Sequence, residues 1–277
     1  MTRATILRDA VSSFQLELYA RTLAGVLPGC ALPRSDGTVP KGWHFVYFPT
    51  APVESELLAD GYDRVPDAPA TIAHELDAGR FVRRWRGGRL EFHTPLRTSD
   101  AECAVYDKVT TADGWRMSVA STRQMRNAGG PLAVLEHREL VYMAAAGKSR
   151  PVRPPAAAHV LARSTFTPSA TLLFRFSALT FNAHRIHFDG AYARDVENMG
   201  LVMHGGLAAS LMLTWLQYDP AVRAQLETAG VGLDAFEYLC VDTIRPGVPV
   251  DLVLTRGRNF RAWIVQDGGV KVKSTVL

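Results

Sequence analysis

The segment SALTFNAHRIHFDGAYA, Ser177 to Ala193, sets one amide and two imidazoles, Asn182, His184 and His187, within six residues. An imidazole can pass protons near neutral pH. An amide can hold a water or orient a ring but cannot titrate. Asn182 and His187 are five positions apart, which on one continuous helix points them away from each other. They converge if Asn182 lies in a loop and His187 in the first turn of a short helix. Two histidines three apart could also share a metal, but nothing else stands at ligand spacing, so no metal is expected.

The stretch GLVMHGGLAASL supplies a second half to such a site, with His204, Gly205 and Gly206 before a strongly apolar run. A helix that starts there brings free backbone N–H groups and a positive dipole end to one point. Such a terminus stabilises a carbonyl oxygen on which negative charge develops. His204, Gly205 and Gly206 are therefore the expected carbonyl-binding residues.

The elements that must position these groups are legible in outline. Residues from Asp9 to Leu23 follow a helical period, stopped by Gly25, Pro28 and Gly29. GWHFVYFPT reads as a strand, APVESELLADG as a short helix, and DRVPDAPATIAHELDAG as loop plus short helix. RFVRRWRGGRLEFHTPL predicts two strands turning at Gly87-Gly88. AECAVYDKVTT, WRMSVASTRQMRN and LAVLEHRELVYMA predict three more, joined by ADG and NAGGP turns. Residues Ala144 to His159, rich in Ala, Pro and basic side chains, read as a linker. Beyond it TLLFRFSAL is expected as a strand leading into the histidine segment, and GGLAASLMLTWLQY as a buried helix ended by Asp219-Pro220. FEYLCVDTI, VDLVLTRGR and AWIVQDGGVKVKSTVL close the chain as strands. Each half thus offers helices and antiparallel strands, an α+β organisation in which a curved sheet buries an apolar helix.

Composition bounds the partners. With 277 residues, 47% apolar and 21% charged, the chain has material for a large core or two smaller ones. The net charge of +4 is spread over scattered arginines, with one tight cluster at Arg83, Arg84, Arg86 and Arg89. That balance suits a CoA nucleotide or an acidic carrier protein as well as it suits a solvated face. No basic run interleaved with aromatics predicts nucleic-acid binding. Cys30, Cys103 and Cys240 are far apart, which argues for buried reduced thiols. Without a signal-peptide core or a spanning apolar run, a cytoplasmic location and no membrane contact are expected.

The order strand, polar triplet, connection, glycine pair and buried helix resembles the MaoC-like branch of the hotdog superfamily, the (R)-specific enoyl-thioester hydratases and 3-hydroxyacyl-thioester dehydratases. That family's motif is Asp-x-Asn-Pro-x-His. Here Asn182 stands at the Asp, His184 at the Asn, Arg185 at the Pro and His187 at the His. FRFSALTFNAHRIHFD and GLVMHGGL are closer to the sub-branch of mesaconyl-CoA hydratases and fungal-type mitochondrial dehydratases, which is similar in carrying Asn-x-His-x-x-His. WHFVYF, GGRLEFHTPLRTSD and EHRELVY resemble that group's first domain.

The resemblance implies a double hotdog: a degenerate N-terminal hotdog over 1–148 shaping the acyl pocket, a linker at 149–160, and a catalytic hotdog over 161–277. It implies a lyase working at the β-carbon of an acyl thioester on CoA or an acyl carrier protein, with no cofactor of its own, and it leaves room for a homodimer. His187 becomes the general acid/base, with Asn182 or His184 placing the nucleophile. Addition of an amine to the same enoyl thioester, and thioester hydrolysis, are the alternatives. Two departures stand out: Asn182 replaces the family's acid, and Asp60 to Phe81 lacks the expected Pro-rich loop, which implies a different acyl group.

Overall fold

A computed structural model describes residues 4–33, 36–65, 74, 81–112, 116–144, 152–156 and 159–277. The expected short helix in DRVPDAPATIAHELDAG and the ADG turn fall largely outside these residues, as do residues 149–151 and 157–158 of the linker.

The strands form one antiparallel sheet. β1 (Thr5–Asp9), β2 (Phe81–Phe92), β3 (Ala101–Ala112), β4 (Arg116–Asn127) and β5 (Leu132–Ala144) come from the N-terminal half. β6 (Val160–Phe166), β7 (Ala235–Cys240), β8 (Val250–Arg256), β9 (Phe260–Gln266) and β10 (Gly269–Val276) come from the C-terminal half. The order is β1-β3-β4-β5-β2-β7-β10-β9-β8-β6. Read outward-in from each edge, the halves repeat one pattern, and they join where β2 pairs with β7 from Gly87↔Leu239 to Glu91↔Ala235.

The helices with described bounds are α1 (Ser13–Leu23), α2 (Ala170–Leu179), α3 (Gly190–Asp195), α4 (Gly205–Tyr218) and α5 (Pro220–Thr228). From Gly206 through Leu216 every residue of α4 is buried, as its lack of a polar face requires. Trp215, Leu207, Leu211 and Leu213 anchor the main core, which both halves share. Burying them contributes about 2 kcal/mol each from apolar area alone. This is the α+β double-hotdog arrangement that the sequence implies.

Five sequence expectations change. TLLFRFSAL is helix, not strand: Ser169 caps it by accepting from the Leu172 N–H at 3.0 Å, and the buried Leu172, Leu173, Phe176 and Ser177 share one helical face. GWHFVYFPT is a 3-10 turn, Trp43–Val46, wedged between α1 and α4, and its successive residues are buried without alternation. APVESELLADG holds only a 3-10 turn, Glu54–Glu56. β2 runs straight through Gly87-Gly88 with a bulge, pairing with β5 on one side and β7 on the other. A Cβ on Gly87 would collide with the Tyr238 carbonyl oxygen, so this glycine serves close strand approach and no turn. The first helix, expected from Asp9, begins later: Asp9 closes β1, which pairs with β3, and Ser12 caps α1.

Candidate active site

The histidine segment leaves α2 at Thr180 and turns through Phe181, whose φ is 51°. The Asn182 N–H donates to the Ser177 carbonyl at 2.9 Å, and its Oδ1 accepts from the His184 N–H at 2.9 Å. One end of the Asn182 amide is thus committed to shaping the loop. His184 opens a 3-10 turn, Arg185–His187, and Asp189 then caps α3 by accepting from the Tyr192 N–H. The loop-plus-short-helix geometry expected for Asn182 and His187 is the one observed.

His187 is buried, and its Nδ1 lies 2.7 Å from the Val202 carbonyl oxygen. A carbonyl can only accept, so Nδ1 carries the proton and Nε2 keeps its lone pair. Burial pushes the His187 pKa down to about 4, although the Val202 carbonyl opposes that shift. The ring stacks on His204 with centroids 3.5 Å apart, and His184 meets it edge-on at 5.3 Å. Burial first and neighbouring positive or histidine groups second drive His184 and His204 well below the ordinary histidine value. All three rings are therefore neutral near pH 7.

His204 caps α4 without a side-chain cap bond, so the first N–H groups of α4, at Gly205 and Gly206, keep no side-chain acceptor. Its Nε2 is 2.8 Å from the Ser177 hydroxyl, while Nδ1 is buried with no partner. The space over Gly205 is taken by the N-terminal half: a Cβ there would stand 2.5 Å from the Trp85 ring. Gly205 thus admits Trp85 against the helix terminus. A Cβ on Gly206 would meet Phe45 at 3.4 Å.

The sequence reading misses a carboxylate from the other half. Asp60 is buried, with Oδ2 3.0 Å from Arg83 Nη1 and 3.5 Å from His184 Nε2. Its carbonyl accepts from the Arg185 N–H at 2.9 Å, which docks the two loops. Gly61, at φ 80°, faces the Ala183 carbonyl so closely that a Cβ would collide with it. Arg83 lies over the Tyr62 and Tyr142 rings at 3.9 and 4.9 Å. No local motif announces Asp60; only the pairing of the halves brings it to the histidines.

The arginine cluster disperses along β2. Arg83 turns inward to Asp60, and Arg84 pairs with buried Glu197 at 3.0 Å. Arg86 and Arg89 pair on the surface with Glu139, Glu91 and Glu237. Glu197 and Asp189, the latter bonded to Arg185, are thereby engaged. All three cysteines are free, and burial raises the Cys240 thiol to about 12.

Asn182, His184, His187, His204, Gly205 and Gly206 line one cavity of about 1110 Å³, whose opposite wall is the inner face of β3, β4 and β5. It is large enough for an acyl chain and its pantetheine arm. Among the described residues, no group of three or more His, Cys, Asp or Glu side chains could hold a metal ion, and no helix is long and apolar enough to cross a membrane.

A family profile described as hydroxyacyl-thioester dehydratase type 2 matches residues 42–243. Mesaconyl-C(4)-CoA hydratase of Chloroflexus aurantiacus is 34% identical over 200 residues, covering 67% of this chain and 67% of its own. The mitochondrial hydroxyacyl-thioester dehydratase type 2 of Schizosaccharomyces pombe is 26% identical over 296 residues, covering 95% of this chain and 93% of its own. Among solved structures, HtdX of Mycobacterium tuberculosis superposes with a TM-score of 0.62 at 12% identity, over 99% of this chain and 98% of that one. At that identity the likeness speaks for the fold alone. The family match spans most of the chain and contains both the histidine segment and Asp60, and on that ground the chain belongs to the hydroxyacyl-thioester dehydratase type 2 family, as a lyase of the hydratase/dehydratase type.

Proposed function

We propose that the enzyme interconverts an enoyl thioester and its 3-hydroxyacyl thioester, carried on CoA or on the phosphopantetheine of a carrier protein, with His187 as the single acid/base. The observation that carries this reading is the 2.7 Å contact of His187 Nδ1 with the Val202 carbonyl, which leaves a basic Nε2 on a ring lining the cavity. In hydration, Nε2 takes a proton from water as its oxygen bonds to C3. The C2–C3 π electrons shift toward the thioester oxygen, forming an enolate. The N–H groups at Gly205 and Gly206 hold that oxygen. The imidazolium then returns the proton to C2, so that one water has been added and the enzyme is unchanged. Dehydration is the same path reversed.

Asn182 replaces the family's acid, and its Oδ1 is spent on the His184 N–H, so its role here is to fix the loop and present its amide to the cavity. His184 completes the polar wall beside it. The N-terminal half, over 1–148, shapes the acyl end of the cavity.

The test is turnover of crotonyl-thioester by wild type and His187→Ala, followed by mass spectrometry with and without amino acids. A product heavier by one water, lost about 10²-fold or more in the variant, is expected. An amine adduct would reassign the nucleophile, free thiol alone would reassign the reaction to hydrolysis, and an unimpaired variant would remove His187 from the mechanism.

A further inference from the structure

A water aimed at one carbon has to be held by both of its hydrogens, because a single hydrogen bond leaves its oxygen free to turn. His187 Nε2 takes one hydrogen. The second needs another acceptor on the cavity wall, and Asn182 is poorly placed to supply it. Its Oδ1 accepts from the His184 N–H at 2.9 Å, which turns the amide oxygen to the loop and leaves the NH2 end for the cavity.

His184 has the acceptor. Its ring is buried, lines the cavity and meets His187 edge-on, with centroids 5.3 Å apart. Its Nε2 has no hydrogen-bond partner among the described residues and stands 3.5 Å from Asp60 Oδ2, the outer limit of a hydrogen bond. Oδ2 also meets Arg83 Nη1 at 3.0 Å, and Oδ1 accepts from the Tyr62 N–H at 3.0 Å. A carboxylate held in this way can only accept. Arg83, which also faces the ring, has donors alone. The neutral His184 carries one ring proton, and beside Asp60 that proton belongs on Nε2. On Nδ1 it would leave a lone pair pointing at a buried carboxylate. The bond from the Arg185 N–H to the Asp60 carbonyl, at 2.9 Å, keeps the two loops in this register.

Resting on the reaction proposed above, we propose that Asp60 is a positioning residue that fixes His184 as the Nε2–H tautomer, so that His184 Nδ1 accepts the second hydrogen of the attacking water. During hydration the first hydrogen passes to His187 Nε2 as the oxygen bonds to C3. The second stays on that oxygen as the hydroxyl of the product, still donating to His184, so His184 neither gains nor loses a proton. In dehydration the 3-hydroxyl donates to His184 Nδ1 while its oxygen takes the proton from His187 and departs as water. The N-terminal half thereby contributes a carboxylate to the reaction without placing it on the cavity wall.

The tautomer is read in the resting enzyme, without substrate. Long-range proton–nitrogen spectra of protein labelled with nitrogen-15 histidine separate Nδ1–H from Nε2–H rings, and loss of signals in His184→Leu identifies the residue. Near pH 7 wild-type His184 should be Nε2–H. A proton on its Nδ1 overturns the proposal. Removing the buried pair together, in Asp60→Asn/Arg83→Met, should abolish the preference for one tautomer; an unchanged spectrum removes Asp60 from the role. Kinetics test what the tautomer is for. His184→Leu should lower kcat about 10²-fold with KM within about threefold of wild type, and His184→Asn, whose amide oxygen can stand near the place of Nδ1, should recover part of the loss. Wild-type kcat in His184→Leu, or equal loss in both variants, overturns the water-holding role. The wild-type spectrum decides the tautomer if no variant folds. The expected tautomer in an enzyme that adds no water to crotonyl-thioester would fault the proposed reaction and not the Asp60–His184 relation, so the two failures are distinguishable.

Discussion

The Asp60 carboxylate of the N-terminal half stands 3.5 Å from Nε2 of His184 in the C-terminal half, and 3.0 Å from Arg83 Nη1. An acid missing from the histidine motif thus has a counterpart supplied across the junction of the halves. It does not occupy the cavity wall itself, so it acts by holding Arg83 and the His184 loop in place.

That relationship predicts the effect of Asp60→Asn. The change leaves Arg83 buried without its counter-charge, which costs about 3 kcal/mol or more. Thermal denaturation should show a lowered midpoint, and Asp60→Asn/Arg83→Met should recover part of it. Full stability in the single variant would mean that the Asp60–Arg83 pair contributes nothing.

Acid sensitivity follows from the histidines. His44 and His187 are held to about 4 by burial, and His184 and His204 also lie well below the ordinary value of about 6.5. Between those limits the unfolded chain binds more protons than the folded one, so stability rises with pH there and is lost as pH falls from about 6.5 toward 4. Each such histidine contributes about 1.4 kcal/mol per pH unit across its window. Urea unfolding at pH 7.5, 6, 5 and 4.5 should show the midpoint dropping over this range. Activity against neutral thioesters should stay level from pH 8 to about 5, because His187 is already unprotonated. An acidic limb near 6.5 would contradict a buried, neutral His187.

Gly205→Ala places a methyl group 2.5 Å from the Trp85 ring. The overpacking should cost about 1–3 kcal/mol and shift the α4 terminus, with kcat falling more than KM rises if the N–H groups there hold the enolate. Adding Trp85→Leu should restore much of the stability. An alanine variant with wild-type melting and kinetics would show that this end of α4 yields freely.

Much was determined by the sequence alone. The buried helix Gly205–Tyr218, the strands from Ala101 to Ala144, the closing strands and the histidine segment were all visible, because period, turn residues and capping are local properties of the chain. Short apolar runs were ambiguous: TLLFRFSAL is as apolar as a buried strand, and only the Ser169 cap and its packing against α1 settle it as helix. Tertiary structure decided the rest. Gly87 and Gly88 look like a turn until a second sheet edge arrives beside them. Asp60 reaches His184 from 124 positions away, and Arg123 meets the same cavity as His187 only because β2 and β7 join the halves into one sheet. Contacts of that range depend on how the strands are ordered, and no local pattern encodes them.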